Sequence, residues 1–430
     1  MKTLYFGATG PQVQLLQLAL ARTGASFVAT DGRFGPQTLS ALKSFQRRNG
    51  LAADGIAGPA THAALRPWYT GYVSHTLRSG DSFYRLAQHY GSTVAAITIA
   101  NPDADPLRLL PGQTITIPLS FDVVPTQIDW CSELLRFCCE GLAARYPALS
   151  AGEIGRSAMG RPLHLLRIGK GKTRVLYNAT HHANEWITTP LLMKFTEQLA
   201  RADAYSEELF GRSARALLEG ATCAVVPCVN PDGMDLVTGD LQSDSDYAAA
   251  RSIAADYPGI AFPSGWKANI RGVDLNLQYP AGWENAREIK FAQGFVSPAP
   301  RDYVGLSALS APESKAMYAY TLAYSPALTL SYHTQGSVIY WKYLNYDPPG
   351  ALALGRRFAA VSSYLLETTP YASGFAGYKD WFIQEFGHPG YTIEAGLGDN
   401  PLPLTQFDRI YGENLGILTL GLALAPQLPA

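Results

Sequence analysis

The sequence predicts a multi-domain chain: a small three-helix segment, a βααβ segment, and a large α/β segment with a mixed, largely parallel sheet. Length, repetition and periodicity each point there. At roughly 150 residues per domain, 430 residues suggest two to three domains. The N-terminal stretch repeats one turn-then-helix grammar. From residue 124 onward, helical periodicity alternates with short β-rich runs, the pattern of strands joined by helical crossovers.

Composition bounds the function. With 47% hydrophobic and 16% charged residues, the chain can build a sizeable core and is not wholly disordered. Lys+Arg is 34 and Asp+Glu is 35, a formal charge of -1, so no general attraction to nucleic acid or anionic membrane is expected. No apolar run approaches the roughly 18 residues of a membrane span. The most apolar tail, 417–425, is interrupted by Thr419 and Gly421. Cys131, Cys138 and Cys139 fall on a predicted helix, and Cys223 and Cys228 on a strand-like run. Buried thiols are expected rather than a disulfide framework. The segment from Met1 to Gly7 shows no apolar stretch of a secretory signal.

The first segment, residues 1–68, opens a helix at Gly10-Pro11, with Val13, Leu15, Leu16, Leu18, Ala19 and Leu20 at helical spacing. Asp31-Gly32-Arg33-Phe34-Gly35-Pro36 is a turn leading into a second helix through Ala41, Leu42, Phe45 and Gln46. Asp54-Gly55-Ile56-Ala57-Gly58-Pro59-Ala60-Thr61 repeats the arrangement. Asp-Gly supplies the turn, and Pro suits the first helical turn. These marks resemble the peptidoglycan-binding-like three-helix domain.

The second segment, 72–119, carries His75-Thr76-Leu77-Arg78-Ser79-Gly80-Asp81-Ser82 and a helix from Phe83. Gly91 suits that helix's C-terminus. A second helix holds Val94, Ile97 and Ile99; Asn101-Pro102 stops it, and Leu110 to Pro118 ends in an alternating strand. The βααβ order and motifs resemble a LysM domain, which implies binding of N-acetylglucosamine-containing glycan.

The third segment, 124–430, predicts a helix over 132–144 and strands over 174–177, 223–229, 327–331 and 390–393. In open α/β sheets, sites gather at the carboxyl ends of strands. His182-Ala183-Asn184-Glu185 follows one such strand, and Ser331-Tyr332-His333 ends another. Two imidazoles and a carboxylate are the donor set of a catalytic zinc, with one position open for water.

Five motifs in order resemble the zinc carboxypeptidase family: His182-Ala183-Asn184-Glu185-Trp186, Asn230-Pro231-Asp232-Gly233, Gly272-Val273-Asp274-Leu275-Asn276, Ser331-Tyr332-His333 and Thr392-Ile393-Glu394. The resemblance implies one Zn²⁺ held by His182, Glu185 and His333. It implies Glu394 as general base and acid, and Asp274 as the carboxylate that orients His182. A cation should steady the oxyanion; Trp266-Lys267-Ala268-Asn269-Ile270-Arg271 offers two, and Arg271 is preferred to Lys267 for its fixed charge and fork geometry. His181 is expected to point away from the ion. His62, His75, His89, His164 and His388 are expected to be structural.

The departures bear on substrate. Family exopeptidases carry an Arg after the G-V-D-x-N block that grips the terminal carboxylate; here Leu277 follows Asn276, itself counted with the substrate-binding residues. Asn184 replaces an Arg common in H-A-R-E-W. The same loss marks the family's γ-D-glutamyl-L-diamino acid endopeptidases, whose W-K-A-N-x-R-G-V-D-L-N and Y-K-D-W segments match 266–276 and 378–381. Tyr371 matches the family's mobile-loop Tyr. Lys379 falls where a residue sets side-chain preference, and is expected to pair with the distal carboxylate of meso-diaminopimelate.

The expected function is therefore a zinc peptidase cutting peptidoglycan stem peptides, with two modules holding glycan. An exopeptidase whose carboxylate grip comes from elsewhere is the alternative, and a catalytically silent wall-binding protein a third. The compartment stays open between the cell wall and a sporulating cell's inner compartment.

Overall fold

The computed structural model describes residues 1–429 and divides into two compact units, Met1–Ser150 and Ala151–Ala430. In the first unit, α1 (Pro11–Arg22), α2 (Pro36–Arg48) and α3 (Pro59–Thr70) each start on Gly-Pro. The internal repeat has a side-chain cause. Gln17 Nε2 donates to Asp31 Oδ1 at 2.8 Å and to the Arg33 carbonyl at 3.0 Å, while its Oε1 accepts from Gly32 N at 2.9 Å. Gln46 does the same to Asp54 Oδ1 (2.9 Å), the Ile56 carbonyl (3.0 Å) and Gly55 N (3.0 Å). Each buried amide locks one Asp-Gly turn whose glycine has φ near +75°, at +72° and +78°.

The same unit holds β1 (Tyr72–Thr76) paired antiparallel with β2 (Thr114–Pro118) around α4 (Phe83–Tyr90) and α5 (Val94–Ala100). Leu77, Phe83, Leu86, Ile97, Ile115 and Ile117 form its small core. Gly91 ends α4 in the left-handed conformation, as expected. Helix α6 (Ser132–Arg145), expected from 132–144, packs on α3, α5 and β2 within this unit.

The second unit is built on an eight-stranded sheet. Its strands and helices follow in chain order: β3 (Leu149–Arg156), β4 (Pro162–Ile168), β5 (Thr173–Ala179), α7 (Thr188–Tyr205), a hairpin of β6 (Glu208–Leu209) and β7 (Arg212–Ser213), α8 (Ala214–Gly220) and β8 (Ala221–Val226). Then come α9 (Pro231–Val237), α10 (Ser245–Ala255), α11 (Trp283–Ala292), α12 (Pro312–Tyr324), β9 (Leu328–His333) and β10 (Val338–Tyr340). The chain closes with α13 (Ala351–Ser362), β11 (Leu365–Glu367), α14 (Tyr378–Phe386), β12 (Gly390–Glu394) and α15 (Phe407–Leu424).

The sheet order is β11-β10-β12-β9-β5-β8-β4-β3. Strands β12, β9, β5 and β8 run parallel; β10 and β4 join them antiparallel. The sheet is thus mixed and mostly parallel. The strand expected over 223–229 stops at Val226, because Pro227 has no amide to continue the ladder. Alternate side chains face opposite layers. Leu176 joins Tyr324, Trp381 and Phe382 from α12 and α14 in one core, whereas the Tyr177 hydroxyl donates to the Leu418 carbonyl of α15 on the other face. Covered on both sides, β9 is buried at every position, with the interior hydroxyls of Thr329 and Ser331 hydrogen-bonded and His333 at its carboxyl end. All five cysteines are free and buried. Among the described residues no helix is long and apolar enough to cross a membrane.

Candidate metal centre

The carboxyl ends of β5, β8, β9 and β12 converge on one edge of the sheet. After Ala179, Thr180 takes φ +55°, a left-handed conformation unfavourable for a β-branched residue. Its surroundings hold it there. Thr180 N donates to Thr188 Oγ1 at 3.1 Å, and its hydroxyl lies 2.8 Å from those of Thr188 and Thr189. The reversal sends His181 inward, where its Nε2 lies 3.0 Å from the Tyr279 hydroxyl, and turns His182 to the strand ends. A 3₁₀ turn, Ala183–Glu185, brings Glu185 back to the same point. Beyond β8, Asn230 Nδ2 donates to the His181 carbonyl (3.2 Å) and the Ala268 carbonyl (3.0 Å), and Ala183 N donates to the Lys267 carbonyl (2.9 Å). The His182 turn and the Lys267 loop are therefore stitched together through backbone.

His333 enters from the end of β9, opposite Glu394 in the parallel register with β12. His182 Nδ1 lies 3.0 Å from Glu185 Oε1, His333 Nδ1 lies 2.9 Å from Glu185 Oε2, and the two Nδ1 atoms are 3.2 Å apart. Donor atoms around a tetrahedral zinc, at 2.0–2.1 Å from the ion, are separated by about 3.3 Å. Two imidazole nitrogens facing each other at that spacing beside one carboxylate fit such an ion. Among the described residues, His182, Glu185 and His333 are the one His/Cys/Asp/Glu cluster with donor atoms all within 4.8 Å. Asp274 Oδ1 stands 3.2 Å from His182 Nε2, so the far ring nitrogen meets a carboxylate, as metal-bearing imidazoles generally require.

The electrostatics are those of a buried charge cluster. Burial would raise the Glu185 carboxyl, but the charges of His182 and Lys267 hold it well below the ordinary range. Burial and then repulsion from Glu185 push Glu394 up to about 8. Lys267 Nζ lies 2.9 Å from Glu185 Oε1. Burial works against its charge, and Glu185 more than offsets this and holds the ammonium above its usual value.

The cleft beside this cluster is lined by His182, Lys267, Asn276, Leu277, Lys379 and Glu394, among others. Asn276 Oδ1 accepts from Tyr378 N at 3.0 Å, tying the floor to α14. Lys267 lines this cleft, whereas the Arg271 guanidinium, the residue preferred from the sequence, pairs with Asp246 at 2.7 Å, is half exposed, and does not line it. The reason is the Asn269 side chain, whose Oδ1 accepts from Arg271 N and Val273 N and curls the loop so that 267 and 271 diverge.

Lys379 lines the cleft, and its ammonium has partners within the protein. Its ammonium donates to the Lys342 carbonyl (2.7 Å) and Thr369 Oγ1 (3.0 Å) and forms an ion pair with Asp380 Oδ1 at 2.6 Å. Tyr371 is 69% exposed, edge-on to Phe375, and borders a separate depression with Lys342 and Tyr343. Sequence reasoning missed Arg301, Lys290, Asp302 and Tyr340, all of which line the cleft.

Comparison with known proteins agrees with this geometry. The zinc carboxypeptidase model matches residues 136–415, the peptidoglycan binding domain model residues 9–65, and the LysM domain model residues 75–118. A gamma-D-glutamyl-L-diamino acid endopeptidase 1 of Lysinibacillus sphaericus is 41% identical over 306 residues, 71% of this chain and 75% of that protein. The protein YqgT of Bacillus subtilis (strain 168) is 39% identical over 277 residues, 64% of this chain and 72% of its own. The solved carboxypeptidase A from Helicoverpa armigera superposes with a TM-score of 0.54 at 20% identity, over 99% of this chain and 97% of that one, a likeness of fold. The family implies zinc, and the donor set described above fits it. With most of its length matched by one family model, the chain belongs to the zinc carboxypeptidase family and carries a peptidoglycan binding domain and a LysM domain ahead of the catalytic fold.

Proposed function

We propose that this chain is a zinc-dependent endopeptidase of bacterial cell-wall peptidoglycan, hydrolysing stem peptides at the γ-D-glutamyl–meso-diaminopimelate bond. The observation that carries the reading is the convergence of His182, Glu185 and His333 beside Glu394, in a chain whose other domains imply peptidoglycan binding. The relative from Lysinibacillus sphaericus, by its printed name, supports the bond. Association with the cell wall belongs to the same proposal.

In this reading His182, Glu185 and His333 hold one zinc per catalytic domain. When bound, the ion supplies Lewis acidity to a carbonyl and acidifies a water. The rest is the work of the chain's own groups. Glu394 takes a proton on its carboxylate and returns it to the leaving amine. Lys267 brings positive charge to the developing oxyanion. Asp274 fixes the ring of His182. Leu277, apolar and in the cleft wall, offers no partner for a terminal carboxylate, which favours internal cleavage.

Glu394→Gln tests the assignment. It should retain one zinc per chain and lose about 10²- to 10⁴-fold in kcat on a muropeptide. Retained activity with zinc bound would remove Glu394 from the chemistry.

A further inference from the structure

We infer that Arg301 is a specificity-determining residue that pairs, through the Nη1/Nη2 end of its guanidinium, with the α-carboxylate a γ-glutamyl linkage leaves free. The inference rests on the functional reading above and deepens it.

Four cations line the cleft: Lys267, Lys290, Arg301 and Lys379. Three are occupied. Lys267 is held by Glu185, Lys379 by Lys342, Thr369 and Asp380, and Lys290 by Asp302 Oδ1 at 2.6 Å with its side chain 12% exposed. Arg301 differs. Its Nε donates to Asp302 Oδ2 at 2.5 Å, its side chain is 44% exposed, and its Nη1 and Nη2 have no partner among the described residues. A guanidinium anchored at Nε and open at its two terminal nitrogens is set for bidentate contact with a carboxylate.

Its position is fixed from both sides. The preceding Pro300 carbonyl accepts from Lys267 N (2.8 Å) and Ala268 N (2.9 Å). The following Asp302 N donates to Asp274 Oδ2 at 3.1 Å, and Asp274 Oδ1 is the partner of His182. Arg301 is thus two short links from a candidate zinc ligand, preorganised rather than mobile. It also stands at a junction. A second depression, lined by Asn184, Thr334 and Asn400, meets the first at Lys267, Arg301, Tyr340 and Glu394.

The chemistry of the substrate then selects the group read. In a γ-linked D-glutamyl residue the free α-carboxylate is only a few bonds from the scissile carbonyl. The distal carboxylate of diaminopimelate is nearly twice as far along the chain. A cation that shares the junction with Glu394 is suited to the nearer group. A residue without a carboxylate on that side of the scissile carbonyl offers Arg301 no partner, so Arg301 would select a glutamyl residue with its second carboxylate free.

The test uses the zinc-loaded full chain and two soluble tetrapeptides, L-Ala-γ-D-Glu-meso-diaminopimelyl-D-Ala and its analogue with the D-Glu α-carboxyl amidated. The unmutated chain should prefer the free carboxylate roughly ten- to hundredfold in kcat/KM, the scale of a charge-assisted pair. Arg301→Gln should lose that factor on the carboxylate peptide and leave the amidated one unchanged, with Arg301→Lys intermediate and zinc content equal. No discrimination by the unmutated chain, or equal loss on both peptides in Arg301→Gln, overturns the assignment while the functional reading stands. The substrate comparison needs no variant to fold. Release of terminal D-Ala, or cleavage of neither peptide at the γ-glutamyl bond, overturns the functional reading, and the assignment with it.

Discussion

Lys379 shows how a residue's chemistry depends on what already surrounds it. In the sequence it is an ammonium at a specificity position. In the fold it is 3% exposed and bound on three sides, with Asp380 equally buried beside it. Lys379→Met should therefore act on stability: an orphaned buried carboxylate costs about 3–5 kcal/mol, read as a lower urea midpoint. Diaminopimelate- and lysine-containing peptides should be affected alike, and a selective loss on the former would restore Lys379 as a reader of substrate. The residues that were legible in the sequence share one property. His182, Glu185, His333 and Glu394 each sit at or just after the end of an apolar strand, so periodicity marks them without knowledge of the fold. Arg301 and Lys290 reach the cleft from a loop and from the last turn of α11, and Tyr340 ends a three-residue strand. Nothing local distinguishes them from surface residues. The choice between Lys267 and Arg271 was likewise unreadable, because it depends on which backbone amides Asn269 gathers.

At the scale of elements, the parallel core was readable because strands β5, β8, β9 and β12 are apolar runs bounded by polar turns. The antiparallel edges were not: β10 and β11 are three residues each, too short for a period of two to show. A buried carboxyl joins elements that the sequence gives no reason to pair. Glu313, at the start of α12, accepts from Ala158 N (2.8 Å) in the turn between β3 and β4 and from Asn269 Nδ2 (3.1 Å) in the Lys267 loop. Burial, opposed by these hydrogen bonds, raises it from an ordinary value near 4.5 to about 7. Between those values the folded chain holds a proton that the unfolded chain has released. Stability from this group is therefore full below about pH 4.5 and falls as pH rises through about 7, by on the order of 3 kcal/mol. Chemical denaturation across that range should show the decline, and Glu313→Gln should flatten it. An identical slope in the variant would assign the pH dependence to other groups.

For the whole molecule, three family matches divide the work. Two small domains of a kind that binds peptidoglycan share a chain with one hydrolase fold; in the proposed function, a cut at one stem peptide would leave the enzyme beside the next. Tethering raises effective concentration without changing the chemistry at the site. Soluble N-acetylglucosamine oligomers should accordingly slow release of peptides from intact sacculi by about tenfold or more, and leave hydrolysis of a soluble tetrapeptide unchanged. Equal inhibition of both would mean that glycan binds at the catalytic cleft instead.

Product mass is the most direct measure of a zinc-dependent internal cut. Mass spectrometry of L-Ala-γ-D-Glu-meso-diaminopimelyl-D-Ala digested by the full chain should give L-Ala-γ-D-Glu and diaminopimelyl-D-Ala with zinc, and intact peptide after chelation. Free D-Ala as the product, or the same two fragments from the chelated protein, would contradict it.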